Sequence, residues 1–204
     1  MIDLNHELLG DVLLAAPGCP DMTAEKAIAR AARQFCTDTH AWRVTTESQP
    51  VIKGLREVEL SVPAECGVVR PYWVKLGDKQ LLGISPTKAT VEDGEPSGYY
   101  ITPAGVLELD CVPKESVVQD ALVAHMAVAP KRGEAVLADE LEPFLETIQS
   151  LAEGYLLMMP SAEWSNRRAA SDMFSMYQNG VTAGRRFGQQ RNQAINRKVA
   201  YGGI

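Results

Sequence analysis

Hydrophobic residues recur at helical spacing through residues 137–181 and divide this stretch into two helices. In the first, they follow at steps of three or four and share one face: Leu137, Leu141, Phe144, Ile148, Leu151, Tyr155 and Met159. Pro160 ends this helix of about six turns. Ser165 or Asn166 caps the second, which carries its own stripe: Ala170, Met173, Phe174, Tyr177 and Val181. The pattern predicts an antiparallel helical hairpin with Trp164 in its corner.

Two shorter helices are predicted near the start of the chain. Residues 3–14 place four apolar side chains on one face: Leu8, Leu9, Val12 and Leu13. The Pro17-Gly18-Cys19-Pro20 segment then forces a turn. From Ala24 to about His40 a second stripe follows: Ala27, Ile28, Ala31, Ala32 and Phe35. The small alanines on this stripe favour close approach of a neighbouring helix.

From about residue 45 to residue 129 the hydrophobic period changes from 3.6 to two, which indicates half-buried strands. Val58, Leu60 and Val62, for example, alternate with polar residues. Glycine, proline and aspartate supply the turns between the runs. Residues 121–129 are apolar at both odd and even positions, so this strand is expected to be central. The stretch predicts an antiparallel meander.

The pattern weakens after Gly180. Gly180, Gly184 and Gly188 fall four residues apart, which favours close helix contact. Each glycine also weakens a helix by about 1 kcal/mol relative to alanine, so both interpretations stay open. Residues 189–204 contain few core-forming side chains, and we expect them to order only on a partner.

Composition narrows the class of protein. The chain has 204 residues, 46% of them hydrophobic, which is enough for a sizeable core. Its four cysteines are widely spaced, so neither a disulfide framework nor a zinc site is predicted. No segment approaches the roughly 20 consecutive apolar residues that a membrane span requires.

Charge is distributed unevenly along the chain. Residues 160–204 hold seven basic and two acidic side chains, a net charge of +5. Because the whole chain has a net charge of −6, residues 1–159 carry a net charge of −11. A basic tail on an acidic body favours a charge-complementary contact, with nucleic acid or with an acidic surface of another protein copy or partner.

Catalytic signals are weak. Cys36 and His40 are four residues apart on one predicted helical face, where a thiolate and an imidazole could meet, but a helix interior offers no oxyanion donors. Asp38 and His40 have no nearby third metal ligand. Phosphate-binding and hydrolase motifs are absent from the sequence. We therefore predict that the protein is not an enzyme and that it has no catalytic, cofactor-binding or metal-binding residues.

Four passages, taken in order, resemble the head–tail connector, or adaptor, proteins of tailed bacteriophages. They are residues 16–21 with 27–36 and Ala41-Trp42-Arg43; the apolar strand ending Val128-Ala129-Pro130-Lys131; the acidic helix from Leu141 to Met159-Pro160; and Glu163-Trp164-Ser165-Asn166 leading to Phe174 and the Gly180 helix. Together they cover roughly half the chain, at both ends. The start of the third, Leu141-Glu142-Pro143-Phe144, departs from the family pattern, where an earlier proline and an aromatic residue are expected.

The resemblance implies an α+β fold with a helical bundle built from the N- and C-terminal helices, an inserted antiparallel β module and an extended tail. The expected parts are a helical pair (1–44), the β module (45–130), a helical hairpin completing the bundle (131–184) and a basic tail (185–204). It also implies a homo-oligomeric ring, commonly of twelve copies, beneath the portal and around the DNA channel.

The implied partners are the portal protein, a downstream tail or nozzle protein, and double-stranded DNA that passes through without sequence recognition. No cofactor and no membrane partner is implied. The expected location is the head–tail junction of the virion, and the host cytoplasm during assembly. Portal docking maps onto the tail, with nine candidate residues: Arg185, Arg186, Phe187, Arg191, Ile195, Arg197, Lys198, Val199 and Tyr201.

Two other interpretations stay open. A DNA-binding protein could use the arginine-rich tail to neutralise phosphates, although the charge of −11 on residues 1–159 argues against it. A thiol enzyme would depend on Cys36 and His40 alone.

Overall fold

The computed structural model describes residues 1–102 and 105–193, except the side chains of 119, 120 and 191–193. Within these residues the helices are α1 (Leu4–Ala15), α2 (Asp21–Thr39), α3 (Leu145–Leu157) and α4 (Arg167–Gln193). The strands are β1 (Ile2–Asp3), β2 (Arg43–Thr45), β3 (Gln49–Val51), β4 (Glu57–Val58), β5 (Cys66–Leu76), β6 (Lys79–Gly83), β7 (Asp93–Gly94), β8 (Gly98–Ile101), β9 (Leu107–Leu109), β10 (Val112–Pro113), β11 (Val117–Pro130) and β12 (Val136–Leu137). The chain divides into two compact units, Met1–Trp42 with Ala129–Ile204, and Arg43–Val128.

The first unit contains the four helices. Helix α2 packs against α1, α3 and α4, and Ile28, Ala31, Ala32 and Phe35 on its predicted stripe are fully buried. Helices α3 and α4 run antiparallel, because Gly154 meets Phe174 while the earlier residue Thr147 meets the later Gly180. The predicted hairpin is confirmed.

Local hydrogen bonds fix the ends of these helices. The Asp3 carboxylate accepts from the backbone N–H of Asn5 and caps α1. Helix α2 ends at Thr39. The next residue, His40, caps it: its φ of 51° is left-handed, and its N–H donates to the Cys36 carbonyl. At α4, the Asn166 side-chain oxygen accepts from the Ala169 N–H at 3.1 Å, which confirms the predicted cap.

The predicted six-turn helix of residues 137–159 is wrong in its first part. Strand β12 occupies Val136–Leu137 and pairs with β1, and a 3₁₀ helix follows at Asp139–Phe144. The α-helix proper, α3, has 13 residues. Pro143 lacks the N–H that an α-helix would bond to the Asp139 carbonyl, so this segment takes the tighter 3₁₀ form before α3 begins.

The second unit is built on a large mixed sheet. Over the described residues eight strands form it, in the order β2-β11-β5-β6-β8-β9-β4, with β3 also paired to β11. Strand β11 lies inside the sheet with Ala121, Leu122, Ala124 and Met126 fully buried, as its two-sided apolar pattern predicts. Parallel pairing joins β6 to β8 and, in a separate ribbon, β7 to β10.

The predicted fold class is therefore wrong. The chain is α+β, but it is not a helical bundle with an inserted antiparallel module and an extended tail. The sheet is large and partly parallel, since β6 reaches β8 through a crossover that contains the 3₁₀ turn Pro86–Lys88. Helix α4 also continues to Gln193, so residues 185–193 are helical where an extended tail was expected.

Candidate partner-binding site on the last helix

Helix α4 is held to the helical unit along most of its length by close backbone approach. A Cβ built on Gly180 would lie within 2.2 Å of the Thr147 side chain. One on Gly184 would lie 2.8 Å from Thr39 and 3.0 Å from Phe35, and one on Gly188 would lie 3.1 Å from the His40 carbonyl. The three glycines therefore form the contact stripe, and of the two interpretations of this pattern, close helix contact is correct.

Asp38 of α2 connects to α4 through two hydrogen bonds. The Tyr177 hydroxyl donates to its carboxylate at 2.7 Å, and Arg185 Nε donates to its backbone carbonyl at 2.9 Å. Gln34 donates to the other carboxylate oxygen at 2.8 Å. Burial, followed by the hydrogen bond to Asp38 and its negative charge, raises the pKa of Tyr177 far above its usual range.

The structure places the first predicted docking residues in different environments. Arg185 and Arg186 are exposed, although Arg185 also holds the Asp38 carbonyl. The half-buried ring of Phe187 packs edge-on against Phe144, with centroids 5.5 Å apart. Phe187 thus contributes to the packing of α4, and the exposed basic side chains are what this part of the helix offers to a partner.

The remaining docking residues lie at or past the described end. Arg191 belongs to α4, but its side chain is outside the described part of the structure. The other five lie outside the described residues: Ile195, Arg197, Lys198, Val199 and Tyr201. Their assignment to portal docking stays a prediction.

The residues that follow Gly188 in α4 are exposed where their side chains are described. Gly188 is the last residue of α4 for which the structure describes a close contact with α2. Gln189 and Gln190 are exposed, and the helix continues to Gln193. A partner can therefore reach this end of the helix, and Arg186 lies one turn before it.

The histidines and the thiol of the candidate catalytic pair occupy separate settings. Cys36 is fully buried in α2, whereas His40 leaves the helical path at its left-handed φ. His125 lies in β11 beside the Trp73 ring, and Thr45 Oγ1 is 2.9 Å from its Nδ1. Burial and the positive charge of Arg43 lower the pKa of His125.

No group of three or more His, Cys, Asp or Glu side chains in the described part of the chain could hold a metal ion. None of the helices described is both long and apolar enough to cross a bilayer.

Neither the scan against protein-family models nor the search of curated proteins finds a match for this chain. The resemblance to bacteriophage adaptors therefore stays a prediction.

The structure has a second cationic surface, which the sequence did not predict. Lys26, Arg30 and Arg33 of α2 line a cavity of about 760 Å³ together with Arg132 from the turn after β11. The first three recur at steps of four and three beside the apolar stripe, a periodicity that was visible in the sequence. The fourth, Arg132, is about 100 residues away in the chain, so only the folded structure brings it there.

Proposed function

We propose that this protein is a structural virion component, a head-to-tail adaptor whose copies form a ring beneath the portal around the DNA channel. In this proposal the C-terminal segment docks on the portal. The observation that carries it is the free end of α4. A 27-residue helix, about 40 Å long, closely approaches α2 and α3 up to Gly188, and Arg185, Arg186, Gln189 and Gln190 near its end are exposed.

The chemistry of this end suits docking on an acidic protein surface. Residues 185–204 carry five basic and no acidic side chains. Arginine guanidinium groups form bidentate hydrogen bonds with carboxylates, and a segment that orders on binding offsets the lost entropy with several such bonds. Helix α4 already orders the first arginines of this segment, which reduces the number of residues that must become ordered on binding.

Binding to portal-bearing heads tests this proposal. Truncation after Gln193 removes Ile195, Arg197, Lys198, Val199 and Tyr201 and leaves the packed part of α4 intact. We expect this variant to fold normally and to lose co-sedimentation with the heads. Replacing Arg186 and Arg191 with alanine should weaken attachment, and more so at about 0.1 M salt than at about 1 M, because charges are less screened at the lower salt.

The matched control replaces Arg167 and Arg168, two exposed arginines in the first turn of the same helix, with alanine. Their loss removes the same charge at the opposite end of α4 and should leave attachment unchanged. If the tail instead binds DNA, truncation would abolish a gel shift with duplex DNA while attachment to heads persists. Full attachment by the truncated protein would refute portal docking by this segment.

A further inference from the structure

The cationic cavity on α2 has a composition that needs an explanation. Lys26, Arg30, Arg33 and Arg132 line it, with Ala29 and Gly133 between them, and no described carboxylate lines its wall. All four cations are exposed, and none forms a salt bridge with any residue in the described part of the chain. Four positive charges around one concave surface repel one another unless an anionic group enters.

Arg30 is held in place by its own unit. Its guanidinium lies 4.1 Å from the centre of the Tyr155 ring on α3. A cation stacked on an aromatic ring loses less conformational freedom when it binds an anion than a freely moving side chain does. The cavity therefore contains at least one pre-positioned donor.

The same unit carries a segment of opposite charge. Asp139, Glu140, Glu142 and Glu146 lie within eight consecutive positions that contain no basic residue. Glu142 and Glu146 are exposed and make no ion pair among the described residues. Asp139, in contrast, already pairs with the ammonium group of Met1 at 2.9 Å.

The spacing of the two charge sets agrees. Along α2, Lys26 and Arg30 are about 6 Å apart in axial rise, and Arg30 and Arg33 about 4.5 Å. In the acidic segment, Asp139 and Glu142 are about 6 Å apart along the 3₁₀ helix, and Glu142 and Glu146 are about 7 Å apart across its junction with α3. Two short helical ladders with similar steps can align several opposite charges at once.

An apolar anchor adjoins the cavity. Met22 lies one turn before Lys26 on the same side of α2 and is 64% exposed. Methionine is enriched in protein interfaces, and an exposed apolar side chain beside charged groups is typical of a protein partner. Duplex DNA would offer Met22 no apolar surface to contact, and the net charge of −6 on the protein opposes the approach of DNA.

We propose that the cavity formed by Lys26, Arg30, Arg33 and Arg132 binds the acidic segment 139–146 of a second copy of this chain. Because the two surfaces differ, each copy can bind one neighbour through its cavity and another through its acidic segment. Such heterologous contacts generate rings or filaments. The inference rests on the proposed function, since it names the subunit contact of the adaptor ring.

Charge reversal tests the contact directly. The basic-reversed variant is Lys26→Glu with Arg33→Glu, which spares the Arg30 contact with Tyr155. The acidic-reversed variant is Glu142→Lys with Glu146→Lys. Sedimentation velocity at about 0.1 M salt should show self-association at least about tenfold weaker for each variant than for the unmodified protein.

Two combinations make the test specific. A chain with all four substitutions should associate with itself again, because the exchanged positions of the cavity and of the acidic segment again carry opposite charges. An equimolar mixture of the two separate variants brings opposite charges together at both contacts and should associate, although neither variant associates alone. The matched control is Lys53→Glu with Lys88→Glu, two exposed lysines of the strand unit, and it should behave as the unmodified protein.

Failure of this contact can be told apart from failure of the adaptor proposal. Restored association by the four-substitution chain, without binding to portal-bearing heads, would leave the contact standing and remove the adaptor function. Unchanged association in either reversed variant, or a monomeric unmodified protein at about 0.1 M salt, would overturn the contact. Loss of duplex binding, in fluorescence anisotropy, by the basic-reversed variant with association unchanged would assign the cavity to DNA instead.

Discussion

Gly184 lies where α4 crosses α2, and neighbouring side chains already occupy the space that its Cβ would need. Phe35, one of those neighbours, is fully buried and its ring packs against Phe144, so it has little room to move. Glycine lowers helix propensity here, yet it allows the two backbones to approach. Packing therefore outweighs propensity at this position.

Gly184→Ala should lower the free energy of unfolding, despite the gain in helix propensity. Overpacking a filled core site costs about 1–3 kcal/mol, which exceeds the gain of about 1 kcal/mol from alanine. Gly10→Ala is the control, because no atom lies within 4 Å of the added Cβ in α1, and it should stabilise by about 0.5–1 kcal/mol. Urea denaturation measures both, and equal gains for the two variants would show that the Gly184 site is open.

Tyr177 and Asp38 form a polar contact between α2 and α4. Tyr177→Phe removes a buried hydrogen bond to a charged acceptor, which should cost about 1.5–3 kcal/mol at neutral pH. Because the folded-state pKa of Tyr177 is raised, its contribution is fully present below the unfolded pKa of about 10 and is lost as pH rises above it.

Denaturant unfolding of both proteins from about pH 7 to about pH 11 measures this contribution. The stability difference between the native protein and Tyr177→Phe should stay constant to about pH 9 and then shrink. The other tyrosines are present in both proteins, so most of their contribution cancels in the difference. A difference that grows with pH would contradict the assigned contact.

Helices whose signals are local are the elements that the sequence predicts best. The apolar stripe of α2 and the cap at Asn166 depend on neighbouring residues alone, and both agree with the structure. The sequence left helix α4 past Gly180 ambiguous. Its glycines lower helix propensity, and only the structure shows that they allow close contact with Thr147, Thr39 and Phe35. Those partners come from two other helices.

Local sequence patterns do not determine which strands pair with each other. Alternation indicates which residues form strands, but it does not specify that β6 pairs in parallel with β8 through a crossover. Likewise, Arg132 reaches the cavity on α2 only through the fold. The basic tail is visible in the sequence, whereas the cavity requires the structure.

The stability of the protein should depend on the packed part of helix α4 and not on the residues beyond it. Truncation after Gly184 removes the Phe187 contact with Phe144 and the close approach of Gly188, and should cost about 3 kcal/mol or more. Truncation after Gln193 keeps both contacts and should leave the thermal midpoint within about 2 °C of the full chain. Equal midpoints for the two truncations would show that residues 185–193 contribute no packing.

At the scale of the whole molecule, charge is sorted into surfaces. The helical unit carries a basic cavity on α2, an acidic segment at 139–146 and a basic end of α4. Several surfaces of opposite sign on one chain favour ordered association with copies and partners over catalysis of a small-molecule reaction. The adaptor proposal gives each of these surfaces a partner.

Co-sedimentation of the full-length protein with purified heads, with and without the portal, tests the adaptor proposal most directly. The proposal predicts saturable binding to portal-bearing heads, at a fixed number of copies per portal, and none to heads that lack the portal. Equal binding to both kinds of head, or binding to neither, would contradict it.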